Sequence, residues 1–254
     1  MSQDRDHSPR SDEFLYGRRP VWEAFRAGKR SIHKIWVVPG TSGGVIQEII
    51  DLAKTRGVPI ESIKRDHLDR MVRGKGNHQG IAAQVSATTY LELEDFLAKL
   101  PADAEALILG LDEIEDPQNV GAILRNAGFF GVSAVIVPRW RSAPVGDTAV
   151  RASSGAAEHI AAIRVRNLVD AIEKLKEAGF EVCGADMGGD PIWTYQRNKR
   201  QALILGSEGR GLRRLVREHC DKIVGIPAPA NVGSLNVGSA SAIFLYEFSR
   251  RKPA

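Results

Sequence analysis

The chain has 254 residues, 43% of them hydrophobic and 26% charged, with a formal net charge of +4 and two cysteines. This is a globular composition; it excludes a disordered, collagen-like or disulfide-scaffold chain, and the length allows one large or two modest domains. The longest apolar runs, such as 242–246, fall far short of the ~20 residues a bilayer needs, the start is polar and mixed in charge, and Cys183 and Cys220 lack metal-ligand spacing, so a cytoplasmic protein without membrane segment or metal is expected.

Residues 1–13 are expected to form a disordered tail. Pro20 to Gly28 reads as a short helix with Val21, Ala24 and Phe25 on one face. A strand at 32–38, a helix at 44–57 closed by Gly57, a strand at 58–63 and a helix near 65–72 follow. The loop 73–80 and a strand at 81–87 complete a small α/β domain over 14–87. Residues 14–86 carry thirteen basic and six acidic side chains, so most of the positive charge lies in this domain. Such a field is either a solvated basic surface or a polyanion footprint, for which Arg18, Arg19, Arg73 and Lys75 are the leading phosphate contacts. The acidic segment 88–105, with one proline and a helical turn or two, is expected to be a linker.

From Ala106 the rhythm is stricter. Strands are predicted at 106–112, 133–138, 160–165, 181–186, 202–207 and 222–227, with helices between them, clearest at 167–179 and about 234–249. Six short apolar runs imply a buried parallel sheet in a doubly wound α/β domain over 106–254. Ligands of such sheets sit beyond the strands' carboxyl ends, which directs attention to the loops after 111, 205 and 226.

In the first loop, Asp116-Pro117 ends the strand exit and Asn119 stands near a helix start, with Arg125 about one and two-thirds turns further on. Each has an ordinary explanation, Asn119 as a helix cap and Arg125 as a surface residue. The second loop, Leu205-Gly-Ser-Glu-Gly-Arg-Gly-Leu212, puts three glycines between strand and helix. It is neither a dinucleotide nor a P-loop fingerprint, and Glu208 would repel a phosphate, so a neutral or cationic ligand suits it better. The third runs from Ile226-Pro227 into a helix rich in small residues. Ser234 and Asn236 there are a capping pair, or a hydroxyl and an amide offered to a substrate. Hydrolase and metalloenzyme motifs are absent.

Taken together, Asn119-Val-Gly-Ala-Ile-Leu-Arg125, Leu205 to Leu212, and Ile226-Pro followed by Ser234-Leu-Asn-Val resemble the three motifs of the SpoU (TrmH-type) branch of the SPOUT RNA 2′-O-ribose methyltransferases. The resemblance covers about 104–252, and YGRRPVWEAFRAG with KGNHQGIAAQV extends it to an amino-terminal substrate-binding domain like ribosomal protein L30e. It departs from relatives at Ala228-Pro229-Ala230 and Gly238-Ser239. The resemblance implies a carboxyl-terminal deep trefoil knot, which fold base rates would never suggest. It also implies an S-adenosylmethionine pocket lined by Gly206, Ile226 and Leu235, and a polar catalytic site of Asn119, Arg125, Glu208, Ser234 and Asn236. The implied enzyme is a homodimer sharing Arg125 between protomers, and its target is a guanosine of large-subunit (23S) ribosomal RNA. The alternatives are a transfer-RNA or antibiotic-resistance ribose methyltransferase of the same branch, and a catalytically silent RNA-binding protein of the same fold.

Overall fold

The computed structural model describes residues 12–72, 76–228 and 234–250. The chain divides between Thr89 and Tyr90 into two compact units. The first contains β1 (Glu13–Tyr16), α1 (Arg18–Ala27), β2 (Ile32–Val37), α2 (Gly44–Thr55), β3 (Ile60–Ser62), α3 (Arg65–Met71) and β4 (Ile81–Val85). Its sheet order is β1-β4-β2-β3, with β4 antiparallel to both β1 and β2 and β3 parallel to β2. α1 buries Pro20, Val21, Ala24 and Phe25, as its apolar spacing dictates, and stops at Gly28, whose left-handed backbone returns its N–H to the Ala24 carbonyl. On a second side, Tyr16, Trp36, Ile63, Leu68 and Val72 form a smaller core.

β1 was not anticipated. Its Glu13 falls in the stretch expected to be tail, yet it accepts the buried Arg30 guanidinium at 2.8 Å, and Arg30 also donates to the Ser86 carbonyl at 2.7 Å. That ion pair ties the start of β1 to the residues flanking β2 and β4.

The second unit opens with α4 (Leu93–Ala98), inside the segment expected to be a linker. Leu93 joins the main core, and Leu91 bridges to Ile163, so these residues belong to the fold that follows. The remaining elements are β5 (Ala106–Leu111), α5 (Pro117–Phe129), β6 (Ala134–Pro138), α6 (Asp147–Ala152), β7 (Ala161–Val165), α7 (Leu168–Glu177), β8 (Glu181–Pro191), β9 (Arg200–Leu205), α8 (Arg214–His219), β10 (Lys222–Gly225) and α9 (Val237–Ser249). Every pair in the six-stranded sheet is parallel, in the order β10-β8-β9-β5-β6-β7. The sequence runs outward from β5 to β7 and then resumes on the other side of β5, a topological switch that opens a crevice at the carboxyl ends of β5 and β9. Ile108, Ile136, Ile163, Ile172, Leu175 and Ile204 are fully buried between sheet and helices.

Close helix contacts explain the small residues. A Cβ at Gly121 would stand 2.2 Å from the Ala152 Cβ, and one at Gly238 would stand 2.8 Å from that of Ala122, so α5 approaches both α6 and α9 at backbone range. Asn126 adds polar ties, its Nδ2 donating to the Gly238 carbonyl and to Ser241 Oγ, both at 2.9 Å. Of the carboxyl-terminal segment expected to be knotted, 229–233 lie outside the described residues. Among the described residues no helix is long and apolar enough to cross a membrane.

Candidate active site

The loop after β9 is pinched shut by its own backbone. Ser207 and Gly211 exchange two hydrogen bonds, at 3.1 and 2.9 Å, and a Cβ at Gly206 would stand 2.2 Å from the Gly211 carbonyl carbon. Only glycine at 206 permits that crossing. Gly209 and Gly211 turn the tip with φ of 83° and 68°, leaving Glu208 exposed at the apex.

Two anchors hold this loop to the sheet. Asp112, at the end of β5 and wholly buried, accepts the Arg213 backbone N–H at 2.8 Å and its Nε at 2.7 Å. Asp186, in the part of β8 that bulges away from β10, accepts Arg217 Nη1 at 2.7 Å. Sequence reasoning missed both pairs. Nothing in a linear reading joins residues 101 apart, although an Asp at a strand's carboxyl end and an Arg directly after a glycine loop were visible singly.

Glu208 is met by two amides from different elements. Asn236, the N-cap of α9, accepts the Gly238 and Ser239 backbone N–H groups at 2.9 and 3.3 Å, which fixes the orientation of its amide. Its Nδ2 therefore donates, at 2.8 Å to Asn119 Oδ1 and at 3.2 Å to Glu208 Oε2. Asn119 closes the ring by donating to the same Glu208 oxygen at 3.4 Å. All hydrogen-bonding capacity of Asn236 is engaged, whereas Glu208 Oε1 has no hydrogen-bond partner among the described residues. The ring thus presents a carboxylate oxygen held by neutral amides.

Other expected residues sit elsewhere. Asn119 is not the cap of α5; Asp116 is, accepting the Gln118 N–H at 2.9 Å, and Asn119 lies within the first turn, free to face Glu208. Six residues on means about 240° round the helix, and Arg125 accordingly points away from the ring. It is exposed, and its Nη1 lies 3.5 Å from Ser154 Oγ, on a residue with a left-handed backbone (φ 56°). Ser234 is exposed two residues before the cap, so the capping is the work of Asn236 alone. Leu235 is 49% exposed and Ile226 partly so, apolar surfaces beside the polar ring's own loop.

In the first unit, Arg18 is largely committed to its own fold. Its backbone N–H and Nε donate to Gln79 Oε1 and to the Gln79 carbonyl, at 2.9 and 3.3 Å, so it holds the 77–80 turn. Arg19 is exposed and lies over the Trp22 ring, with Arg26 over the same indole, at 5.0 and 4.7 Å. Arg73 and Lys75 lie outside the described residues. His78, buried, accepts the Gly80 N–H through Nδ1 and donates from Nε2 to Asp69 at 2.9 Å, fixing the loop that leads into β4.

Among the described residues no three His, Cys, Asp or Glu side chains gather as a metal cluster. Burial pushes the thiols of both Cys183 and Cys220 up to about 12, which makes them poor nucleophiles.

A pinched glycine loop, a capped helix and an amide-held carboxylate thus meet at the switch point of the parallel sheet. The chain belongs to the SpoU rRNA methylase family: the family model matches residues 106–246, and a model described as RNA 2′-O ribose methyltransferase substrate binding matches residues 14–91. Among its relatives is YacO of Bacillus subtilis, described within the TrmH family of tRNA/rRNA methyltransferases. It is 37% identical over 254 residues, covering 99% of this chain and 98% of the relative. A protein of Mycolicibacterium gilvum described as a tRNA/rRNA methyltransferase is 39% identical over 255 residues, covering 99% of this chain and 81% of its own. The fold is that of the SpoU methyltransferase AviRb from Streptomyces viridochromogenes, with a TM-score of 0.79 at 23% identity over 94% of this chain and 89% of that one. An rRNA methyltransferase from Sinorhizobium meliloti, solved with AdoMet bound, superposes with a TM-score of 0.77 at 23% identity, over 93% and 86%.

Proposed function

We propose that the chain moves a methyl group from S-adenosylmethionine to the ribose 2′ oxygen of a guanosine in large-subunit ribosomal RNA, as a homodimer whose carboxyl-terminal passage is knotted. The observation that carries this reading is the Asn119–Glu208–Asn236 ring, which gathers one residue from each of the three family motifs at a single point.

The residues present fit the cofactor. The close backbone crossing at Gly206, the exposed Leu235 and the half-buried Ile226 suit the apolar parts of the cofactor, and the Glu208 carboxylate suits the positive charge of its sulfonium. Bound there, S-adenosylmethionine supplies an already electrophilic methyl group. The remaining obstacle is the ribose hydroxyl: with a pKa of about 12, its ionisation at neutral pH costs roughly 7 kcal/mol. Arg125 meets that cost electrostatically, by its positive charge beside the developing alkoxide and the adjacent phosphate. A guanidinium is a reluctant proton acceptor, so the proton leaves to solvent or to a neighbouring group. Asn119 and Asn236 hold the Glu208 carboxylate, and Ser234 offers a hydroxyl at the mouth.

Because Arg125 points away from its own ring, it acts in the site of a partner protomer. The faces of α5 and α9 support such pairing, since Phe129 is 83% and Tyr246 55% exposed, large apolar surfaces on adjoining helices. Mixing Arg125→Ala with Asn236→Ala under conditions that exchange subunits tests this. Mixed dimers then carry one site with both lesions and one with neither, so about a quarter of wild-type activity returns from two inactive proteins. No recovery after demonstrated exchange would place the arginine in its own chain's site. The target is tested by mapping 2′-O-methyl positions in both ribosomal and transfer RNA of a deletion strain, where a lost mark on transfer RNA alone would refute the ribosomal assignment.

A further inference from the structure

On the same edge of the sheet, but outside the ring and the glycine loop, the carboxyl ends of β5, β6 and β7 enclose a cavity of about 210 Å³. Its floor is apolar, from Pro138 and the buried Leu168, and its walls are Glu113, Arg141, Arg166 and Arg213. Trp140 stands at the rim, 63% exposed. A volume below the ~300 Å³ of ordinary small-molecule sites is too small for a whole cofactor and enough for one base or phosphate.

Two features show that this pocket is built. Among the described residues only four non-glycine residues have left-handed backbones, and Glu113 and Arg141 (φ 54° and 55°) are two of them. Such conformations cost free energy and persist where the surroundings impose them. Here Glu113 accepts Arg141 Nη1 at 3.3 Å and lies 3.7 Å from Arg213 Nε, so both unusual turns aim side chains into one cluster. The charges are also unbalanced. Arg213 is matched by buried Asp112 and Arg141 by Glu113, but Arg166 is exposed and makes no ion pair among the described residues.

We propose that this groove binds the nucleotide next to the methylated one in single-stranded RNA, its base stacked on the Trp140 indole and its phosphate met by Arg166 and Arg141. An exposed indole beside an unpaired guanidinium is the chemistry that grips an unstacked base and its backbone. The groove is tied to the active site by short chain segments: Glu113 is six residues before Asn119, and Arg213 five after Glu208. A nucleotide seated there fixes how far its neighbour's ribose reaches toward the ring. The methyltransferase unit thereby contributes its own RNA contact, in addition to the substrate-binding module over residues 14–91. The inference rests on the RNA methyltransferase reading of the chain.

The test uses the full chain and a labelled single-stranded RNA of ~12 nucleotides, within the usual range of single-strand site sizes. Trp140→Ala is expected to weaken binding about 5- to 150-fold, the range for loss of one stacked base, while Trp140→Phe stays close to wild type. Arg166→Ala is expected to lower the slope of log affinity against log salt by about 0.7, one phosphate contact on a single strand. Photocrosslinking of the same RNA carrying 4-thiouridine to the wild-type protein should label the peptide containing Trp140, a result that needs no variant. Calorimetric S-adenosylmethionine affinity should be unchanged in all variants. Unchanged RNA affinity in Trp140→Ala together with no crosslink at Trp140 overturns the proposal, as does a loss confined to dimer stability, which would assign the face to a second copy of the chain. Methyl transfer by the wild type is scored separately: its absence beside intact RNA binding would refute the activity and leave the groove standing.

Discussion

Replacing Gly206 with alanine tests the pinched loop most directly. The added Cβ would lie 2.2 Å from the Gly211 carbonyl carbon, 2.4 Å from its oxygen and 2.5 Å from the Leu212 nitrogen, all backbone atoms with no rotamer to yield. Ordinary contact begins near 3.4 Å, so the 211–212 segment must retreat by about 1.2 Å. That movement breaks the two Ser207–Gly211 hydrogen bonds, worth about 1 kcal/mol each, and adds an overpacking cost of about 1–3 kcal/mol. The strain falls on the loop that holds Glu208, so the cofactor's Kd is expected to rise at least tenfold, with a modest drop in melting temperature. Gly209→Ala is the control. Its φ of 83° makes it strained as well, but its Cβ would meet nothing within 4 Å, so only a cost of about 1 kcal/mol is expected. Calorimetric titration of S-adenosylmethionine into both variants decides the matter. Equal affinity of Gly206→Ala and wild type would refute the reasoning, because the crossing would then have no bearing on the pocket.

Three further outcomes are expected. Arg213→Ala leaves the buried Asp112 carboxylate with only a backbone N–H; since the arginine itself is 44% exposed, the loss should be about 2 kcal/mol, read as a lower urea midpoint at unchanged slope. The thiols of buried Cys183 and half-buried Cys220, raised from 9.0 to about 12, keep their protons in the folded state while the unfolded chain gives them up, so stability should fall as pH rises from 9 toward 12. A Cys183→Ala/Cys220→Ala variant should flatten that decline, and an unchanged pH profile of the urea midpoint would count against the cause given. Asn126→Ala removes two bonds between α5 and α9 and should cost about 2 kcal/mol in the same assay.

The buried parallel strands were legible because each is a short apolar run bounded by turn residues, and the three loops could be located from them. The order of those strands was not, since hydrophobic runs say nothing about their neighbours. β8 runs on to Pro191 through Met187-Gly-Gly-Asp, a stretch with no apolar pattern, because its register with β10 shifts and backbone pairing alone carries it. β1 was hidden for the opposite reason: four residues beside a polar tail are too few to show alternation. The polar ring could be named from motif resemblance, but its internal roles could not. That Asp116 rather than Asn119 caps α5 follows from Asp-Pro at the helix start, a signal the sequence displays plainly. The commitment of Arg18 to Gln79 depends on a loop folding back across 61 residues, which no local pattern announces.

The double service of Asn236 has a consequence for motion. One amide both starts α9 and restrains the Glu208 carboxylate, so fraying of that helix's first turn and swinging of the carboxylate are a single event with a single free energy. A ligand that engages Glu208 therefore slows amide exchange at Gly238 and Ser239 without touching them. Exchange rates at those two positions become a remote gauge of whether the cofactor site is occupied.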